Sequence, residues 1–173
     1  NCQNHEISQA GSYQTSNYDL MPEHVVKLAL EHSCDAIAYT YTEPATFAEY
    51  VYDTSVIAAQ HGLRNIMVSS GYINRQPLKD LCEVIDAANI DLKSFDDKVY
   101  RELNDGRLNT VLNTLTTIKE MGVWLEITFL IVPGWSDDLS KIREMVKWMV
   151  KNDMKDVPLH FSRFFPTYQL TEL

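Results

Sequence analysis

Apolar residues in this chain come in two alternating textures. Short, near-continuous apolar runs lie at Asp35–Tyr41, Asn65–Ser70, Ala88–Leu92, Trp124–Val132 and Leu159–Phe161, which predict buried parallel strands. Between them, apolar positions recur every three or four residues, which predicts helices. Phe47, Tyr50, Val51, Thr54, Ile57 and Ala58 form one such stripe, closed by Gly62 where a left-handed residue commonly ends a helix. Leu78, Leu81, Cys82 and Ile85 form a second stripe. Val111, Leu112, Leu115, Ile118 and Met121 form a third before Gly122, and Leu139, Ile142, Met145, Val146, Met149 and Val150 a fourth. Pro22 opens an earlier helix at its first position, where its missing N–H is not needed.

The predicted strand ends Tyr41, Ser70, Lys93, Val132 and Phe161 are spaced by 29, 23, 39 and 29 residues. This is the period of a βα unit. Parallel crossovers are almost always right-handed, so five units in succession predict an α/β fold: a curved sheet or partial barrel of parallel strands with outer helices.

Composition narrows the setting. The 173 residues, 45% of them hydrophobic, suit a single domain over 1–173 with an ample core. A formal net charge of -9 argues against following a phosphate backbone, so no nucleic-acid partner is expected. No window approaches the roughly 20 consecutive apolar residues of a membrane helix. The first residues do not form a basic-then-apolar leader, so no membrane partner and a cytoplasmic location are expected. Cys2, Cys34 and Cys82 are too few and too odd in number for a secreted disulfide framework. Cys34 and Cys82 are expected to be small core residues, and Trp124, Trp135 and Trp148 packing residues. Residue 1 is Asn rather than Met, so the chain is read as an internal part of a longer protein.

In such folds the chemistry gathers at the carboxyl ends of the strands. Those ends carry Thr42-Glu43-Pro44, Ser69-Ser70-Gly71, Asp91-Leu92-Lys93, Pro133-Gly134 and His160 to Arg163. Carboxylates, an ammonium, hydroxyls and an imidazole suit a zwitterionic ligand with both an amine and a carboxylate. No Gly-rich phosphate loop is present.

The opening Cys2-Gln3-Asn4-His5-Glu6-Ile7-Ser8 resembles the end of the Cys-x-x-x-Cys-x-x-Cys loop of radical S-adenosylmethionine (SAM) enzymes. Asp91-Leu92-Lys93 and Val132-Pro133-Gly134-Trp135-Ser136-Asp137-Asp138 are similar to the pyruvate formate-lyase activating enzyme group. Closer still is the AmmeMemoRadiSam-system branch, whose Cys-Gln-Asn, Tyr-Thr-Tyr-x-Glu-Pro and His-x-Ser-Arg-Phe-Phe-Pro segments match Cys2–Asn4, Tyr39–Pro44 and His160–Pro166. Each motif alone is weak, but five in order at βα spacing are specific.

The resemblance implies a (β/α)6-type barrel whose first βα unit is missing from this chain, together with the other two loop cysteines. It implies SAM and a 4Fe-4S cluster as cofactors, because three thiolates leave one iron open to chelate SAM. An electron from the reduced cluster splits the sulfonium into methionine and a 5′-deoxyadenosyl radical, which abstracts hydrogen from a protein or small-molecule substrate. An external electron donor is implied as well.

Residue by residue, Cys2 matches the third cluster ligand and Glu43 the acid that meets the SAM amine. Asp91 and Lys93 fall on the family's Asp-Leu-Lys, with Lys93 pairing polar groups of SAM. Ser69 and Ser70 replace a Thr-Asn turn and keep its hydrogen-bonding ability. The backbone of Val132 would border the adenosine, and His160 the nucleoside. Val68 stands where the activating enzymes place an Asp of a monovalent-cation site, so that site is not carried over. Phe164, Phe165 and Tyr168 would line an opening for either kind of substrate.

Blander roles compete for the same residues. Glu43 favours the start of the following helix through its dipole, Asp91 and Lys93 form a neutralising pair on one strand face, and Asp137 and Asp138 cap the next helix. Two other functions use the same chain: Lys93 as a Schiff-base lysine of an aldolase-like barrel, or a cluster-free partial domain that binds a protein partner.

Overall fold

The structure is a computed structural model that describes residues 4–167. Five parallel strands form one sheet in sequential order: β1 (Ala36–Tyr39), β2 (Arg64–Ser69), β3 (Ala87–Leu92), β4 (Trp124–Ile131) and β5 (Leu159–Arg163). A short α1 (His5–Ser8) precedes α2 (Pro22–Glu31), and α3 (Ala48–Gln60) follows β1 after a 3-10 turn at Pro44–Phe47. Next come α4 (Arg75–Cys82), α5 (Asp97–Asn104), α6 (Leu108–Glu120) and α7 (Leu139–Lys151). This is the predicted α/β partial barrel, with β1 and β5 as open edges. Among the described residues no helix is long and apolar enough to cross a membrane.

Sequential order with right-handed crossovers places the helices on one face of the sheet, and burial follows. Met67, Ile90, Leu92, Ile127 and Phe129 are at most 1% exposed and pack with Leu78, Leu81, Leu115, Ile118 and Met145 from the helices. Each such side chain contributes about 1.5–3 kcal/mol by leaving water.

The strands do not read as continuous apolar runs throughout. Burial alternates along β2, β3 and β4, because neighbouring side chains point to opposite faces and only one face is covered by helices. Ile66, Val68, Asn89, Asp91, Glu126, Thr128 and Leu130 are half-exposed on the other face.

Several local expectations change. The helix α5 follows Asp91-Leu92-Lys93 with Asp96 as its cap, accepting from Lys98 N at 2.8 Å. It buries only Tyr100, which is why no apolar stripe announces it. On α7, Met145 and Met149 are buried whereas Leu139, Val146 and Val150 are exposed, so the apolar stripe is narrower than the sequence suggests. Cys34 is exposed just before β1 rather than in the core, since the turn after α2 carries it outward. Cys82 is buried on α4, and burial pushes its thiol up to about 11. Trp124 is 61% exposed at the start of β4, on the face that helices leave open. Trp148 packs against Phe95 at 6.1 Å as expected.

The acidic pair before α7 divides its labour. Asp138 caps the helix, accepting from Ser140 N at 2.7 Å, whereas Asp137 accepts from Gly134 N at 3.0 Å and closes the Pro-Gly turn. Hydrogen bonds from Ser140, first its side chain and then its backbone, hold the Asp138 carboxyl below the usual carboxylate range. A folded-state value below the unfolded one gives stability that is present above the unfolded value and lost as pH falls through the folded one. Asp138→Asn keeps a capping oxygen but cannot titrate. It is therefore expected to match the parent at neutral pH and to lose less stability on acidification below about pH 4. Thermal melting between neutral and acid pH checks this, and an unchanged acid slope would refute it.

Candidate functional site

The rim formed by the carboxyl ends of the strands carries most of the predicted residues in two groups, and a third group lies apart from it. The first surrounds Glu43, which follows β1. Its Oε1 accepts from Ser69 Oγ at 2.6 Å and from Ala45 N at 3.2 Å, and its Oε2 accepts from Ser70 N at 2.8 Å. Glu43 thus caps the 3-10 turn and also binds the end of β2, so the bland and the functional roles coexist.

Ser69 and Ser70 act through different atoms. Ser69 is 4% exposed, donates its hydroxyl to Glu43 and accepts from Gly71 N at 3.0 Å, while Ser70 contributes its backbone N–H. Gly71 has φ +70 because the turn is left-handed there, and its carbonyl accepts from the buried Thr114 Oγ1 at 2.7 Å. Thr114 on α6 therefore anchors the turn from behind.

The second group is Asp91 and Lys93. Two residues apart on one strand face, they form an ion pair of 2.6 Å with both side chains 32% exposed. Beneath it, Tyr100 Oη accepts from Lys93 N at 3.0 Å. Burial raises the Tyr100 hydroxyl well above its ordinary value, so it stays protonated.

The third group lies inside the sheet rather than at the rim. His160 is the second residue of β5, in register with Thr128, which is in register with Asp91. Its level matches Asp91, and its Nε2 meets Glu126 Oε2 at 2.7 Å. Glu126 Oε1 accepts from Trp124 Nε1 at 3.1 Å, and Thr128 Oγ1 donates to Asn89 Oδ1 at 2.9 Å.

Val132 sits in a turn whose polar groups are satisfied internally. Its N–H donates to Ser136 Oγ at 2.8 Å, and its carbonyl accepts from Trp135 N and Ser136 N at 3.0 and 2.9 Å. That backbone can border a ligand by shape but has little hydrogen bonding left to offer. Phe165 is 52% exposed beside Arg163, whose guanidinium lies 4.4 Å from the ring centroid. Cys2 and Tyr168 lie outside the described residues.

The sequence motifs single out none of Asn89, Thr128, Glu126, Tyr100 and Thr114, and Trp124 is marked there only for packing. A signal for the open-face members was available: Asn89 and Asp91, like Glu126 and Thr128, are polar at every second position of a strand, which marks a wet face.

The donor set can be tested against a ligand bearing an amine. A carboxylate has about four lone-pair sites. Three at Glu43 are taken, leaving capacity on Oε2 for one further donor such as an ammonium. Lys93 spends one of its three N–H groups on Asp91. These residues fit SAM. An iron-sulfur cluster needs thiolates, and of the two described cysteines Cys34 is exposed in the turn before β1 and Cys82 is buried on α4. Among the described residues no cluster of His, Cys, Asp and Glu is arranged to hold a metal ion.

The radical SAM superfamily model matches residues 2–149. An uncharacterized protein of Methanocaldococcus jannaschii is 40% identical over 172 residues, covering 99% of this chain and 51% of that protein. Pyruvate formate-lyase 1-activating enzyme of Escherichia coli is 26% identical over 131 residues, covering 74% of this chain and 53% of the enzyme. The chain thus spans about half the length of these curated relatives. Streptococcus suis SuiB bound to S-adenosylmethionine superposes with a TM-score of 0.71 at 12% identity, covering 91% of this chain and 37% of SuiB. The partial barrel and the match over residues 2–149 together place this chain in the radical SAM superfamily.

Proposed function

We propose that the full-length protein cleaves SAM reductively at a 4Fe-4S cluster for hydrogen abstraction, as an oxidoreductase resembling the pyruvate formate-lyase activating enzymes. The observation that carries this reading is the Glu43 carboxylate, fixed by Ser69 Oγ and Ser70 N at the end of β2 with an acceptor site to spare. A bound cluster would supply the one-electron reduction that SAM cleavage requires.

The chain's own residues bind and orient. Glu43 takes the SAM amine, and Lys93, held by Asp91 and by Tyr100 beneath it, offers its remaining N–H groups to SAM oxygens. The Val132 turn walls the adenosine, and His160 borders the nucleoside from β5. Cys2 would supply one thiolate of the cluster. The half-exposed polar face of β3 and β4 leaves room for the substrate, a protein segment or a small molecule.

Schiff-base chemistry at Lys93 is disfavoured. Its ammonium is committed to Asp91 at 2.6 Å in a partly exposed position, not set in the dry apolar pocket that activates a lysine nucleophile. A cluster-free binding module would account for Glu43 as a cap and a tie to β2, but would leave its spare acceptor site without a use.

The full-length protein, reconstituted with iron and sulfide without oxygen and then reduced, is expected to convert SAM to 5′-deoxyadenosine, detected by chromatography. Full cluster occupancy without that product would refute the proposal.

A further inference from the structure

Trp124 and Glu126 stand on the open face of β4 beside His160, and the function proposed above leaves both unused. A carboxylate only accepts and an indole N–H only donates, so Glu126 Oε1 is fixed by Trp124 Nε1 at 3.1 Å. The second oxygen is thereby aimed at His160 Nε2, 2.7 Å away. Turning the carboxylate would orphan one of its two donors. The Trp124 hydrogen bond, and then that of His160, keep the Glu126 carboxyl below the usual carboxylate range, so it remains an acceptor at neutral pH.

We propose that Glu126, buttressed by Trp124, is a positioning residue that fixes His160 with its proton on Nε2 and presents Nδ1 as a bare acceptor to a hydrogen-bond donor on the SAM nucleoside. Among the described residues Nδ1 has no hydrogen-bond partner. Thr128, in register with His160, does not compete for it, because its Oγ1 donates to Asn89 Oδ1 at 2.9 Å. In the neutral ring the acceptor-only carboxylate puts the proton on Nε2 and leaves Nδ1 bare, just as a carboxylate behind a metal-binding histidine sets its tautomer. This inference rests on the reading that His160 borders the nucleoside.

Glu126→Gln separates the possibilities. Glutamine has one acceptor oxygen for two donors. Once Trp124 holds that oxygen, the amide NH2 faces Nε2 and the ring is forced to carry its proton on Nδ1.

The test uses full-length protein labelled with 15N-histidine, with the His160 signal identified by its loss in His160→Ala, and SAM affinity measured by anaerobic titration of the reconstituted protein. The parent is expected to show the Nε2–H form and Glu126→Gln the Nδ1–H form. SAM affinity in Glu126→Gln is expected to fall about 10-fold, with melting temperature and iron content unchanged. Trp124→Phe is expected to keep the parent tautomer with a smaller loss of affinity. An Nδ1–H ring in the parent, or a Glu126→Gln protein with unchanged tautomer or affinity, overturns the inference. If His160→Ala binds SAM as tightly as the parent, the nucleoside contact itself fails and the inference falls with it. Loss of affinity in His160→Ala but not in Glu126→Gln overturns the role of Glu126 alone.

Discussion

Replacing Glu43 by alanine is expected to lower SAM affinity about 100-fold, since removing one side of a charge-assisted contact costs about 2–3 kcal/mol. The same change strikes the fold, because three donors converge on this carboxylate: Ser69 Oγ, Ser70 N and Ala45 N. Ser69 is buried, so its hydroxyl cannot turn fully to water. Each donor left unsatisfied costs about 1 kcal/mol or more, and a total near 3 kcal/mol would lower the melting temperature by roughly 6–12 °C.

Glu43→Gln separates the two effects. The amide oxygen can still accept from Ser69 or Ala45, but its NH2 is set against another donor, and no negative charge remains for an ammonium. Glu43→Gln should therefore recover part of the stability and little of the SAM affinity. Thermal melting together with anaerobic SAM titration checks this. If Glu43→Ala binds SAM within about three-fold of the parent, less than 1 kcal/mol apart, the assignment of Glu43 to the amine is wrong.

Gly71→Ala is expected to be the most destabilising single methyl that this site can receive. With φ at +70, alanine pays the left-handed backbone penalty of about 1 kcal/mol. Its Cβ would also stand 2.8 Å from Ile90 Cγ2 and 3.3 Å from Val111 Cγ1. Ile90 is 0% exposed and Val111 1%, so neither has space to retreat, and overpacking of this kind adds about 1–3 kcal/mol. The displaced turn carries Ser69 and Ser70, so SAM affinity should drop along with stability.

Gly62→Ala supplies the control. Gly62 has φ +78, and a methyl added there would meet nothing within 4 Å, so only the backbone penalty of about 1 kcal/mol applies. Chemical denaturation of both variants measures the difference. Equal losses would show that the contact with Ile90 and Val111 relaxes freely and that the turn is not tightly packed.

The two glycines illustrate how far a sequence can be read. Gly62 and Gly122 each follow an apolar helical stripe, and both end helices with positive φ; local periodicity alone announced them. Gly71 belongs to no such stripe, and its need for a bare Cα comes from Ile90 and Val111, which arrive from β3 and α6. The helix α5 stayed hidden for a related reason. Its eight residues bury one side chain, Tyr100, whose purpose is to accept from Lys93 N across seven residues.

The ordered motifs pointed to Glu43, Ser69, Ser70, Asp91, Lys93, Val132 and His160. They did not reveal that Glu43 and the Ser69–Ser70 turn form one hydrogen-bonded unit, or that the Val132 backbone is saturated by its own turn. Nor did they reveal Glu126 and Trp124, because these stand in a strand that reads as an apolar run until one of its faces is known to be uncovered.

Local chemistry therefore determined the strand order, every long helix but α5 and the parallel α/β architecture, since hydrophobic period and caps are properties of neighbouring residues, and the ordered motifs carried the family resemblance. Tertiary structure alone decided which polar side chains face one another: Glu43 with Ser69, Thr128 with Asn89, His160 with Glu126. The pairing of β3, β4 and β5 set the last two pairs and the turn after β1 set the first, and each joins residues at least 26 positions apart, so no pattern of neighbouring residues names the partners.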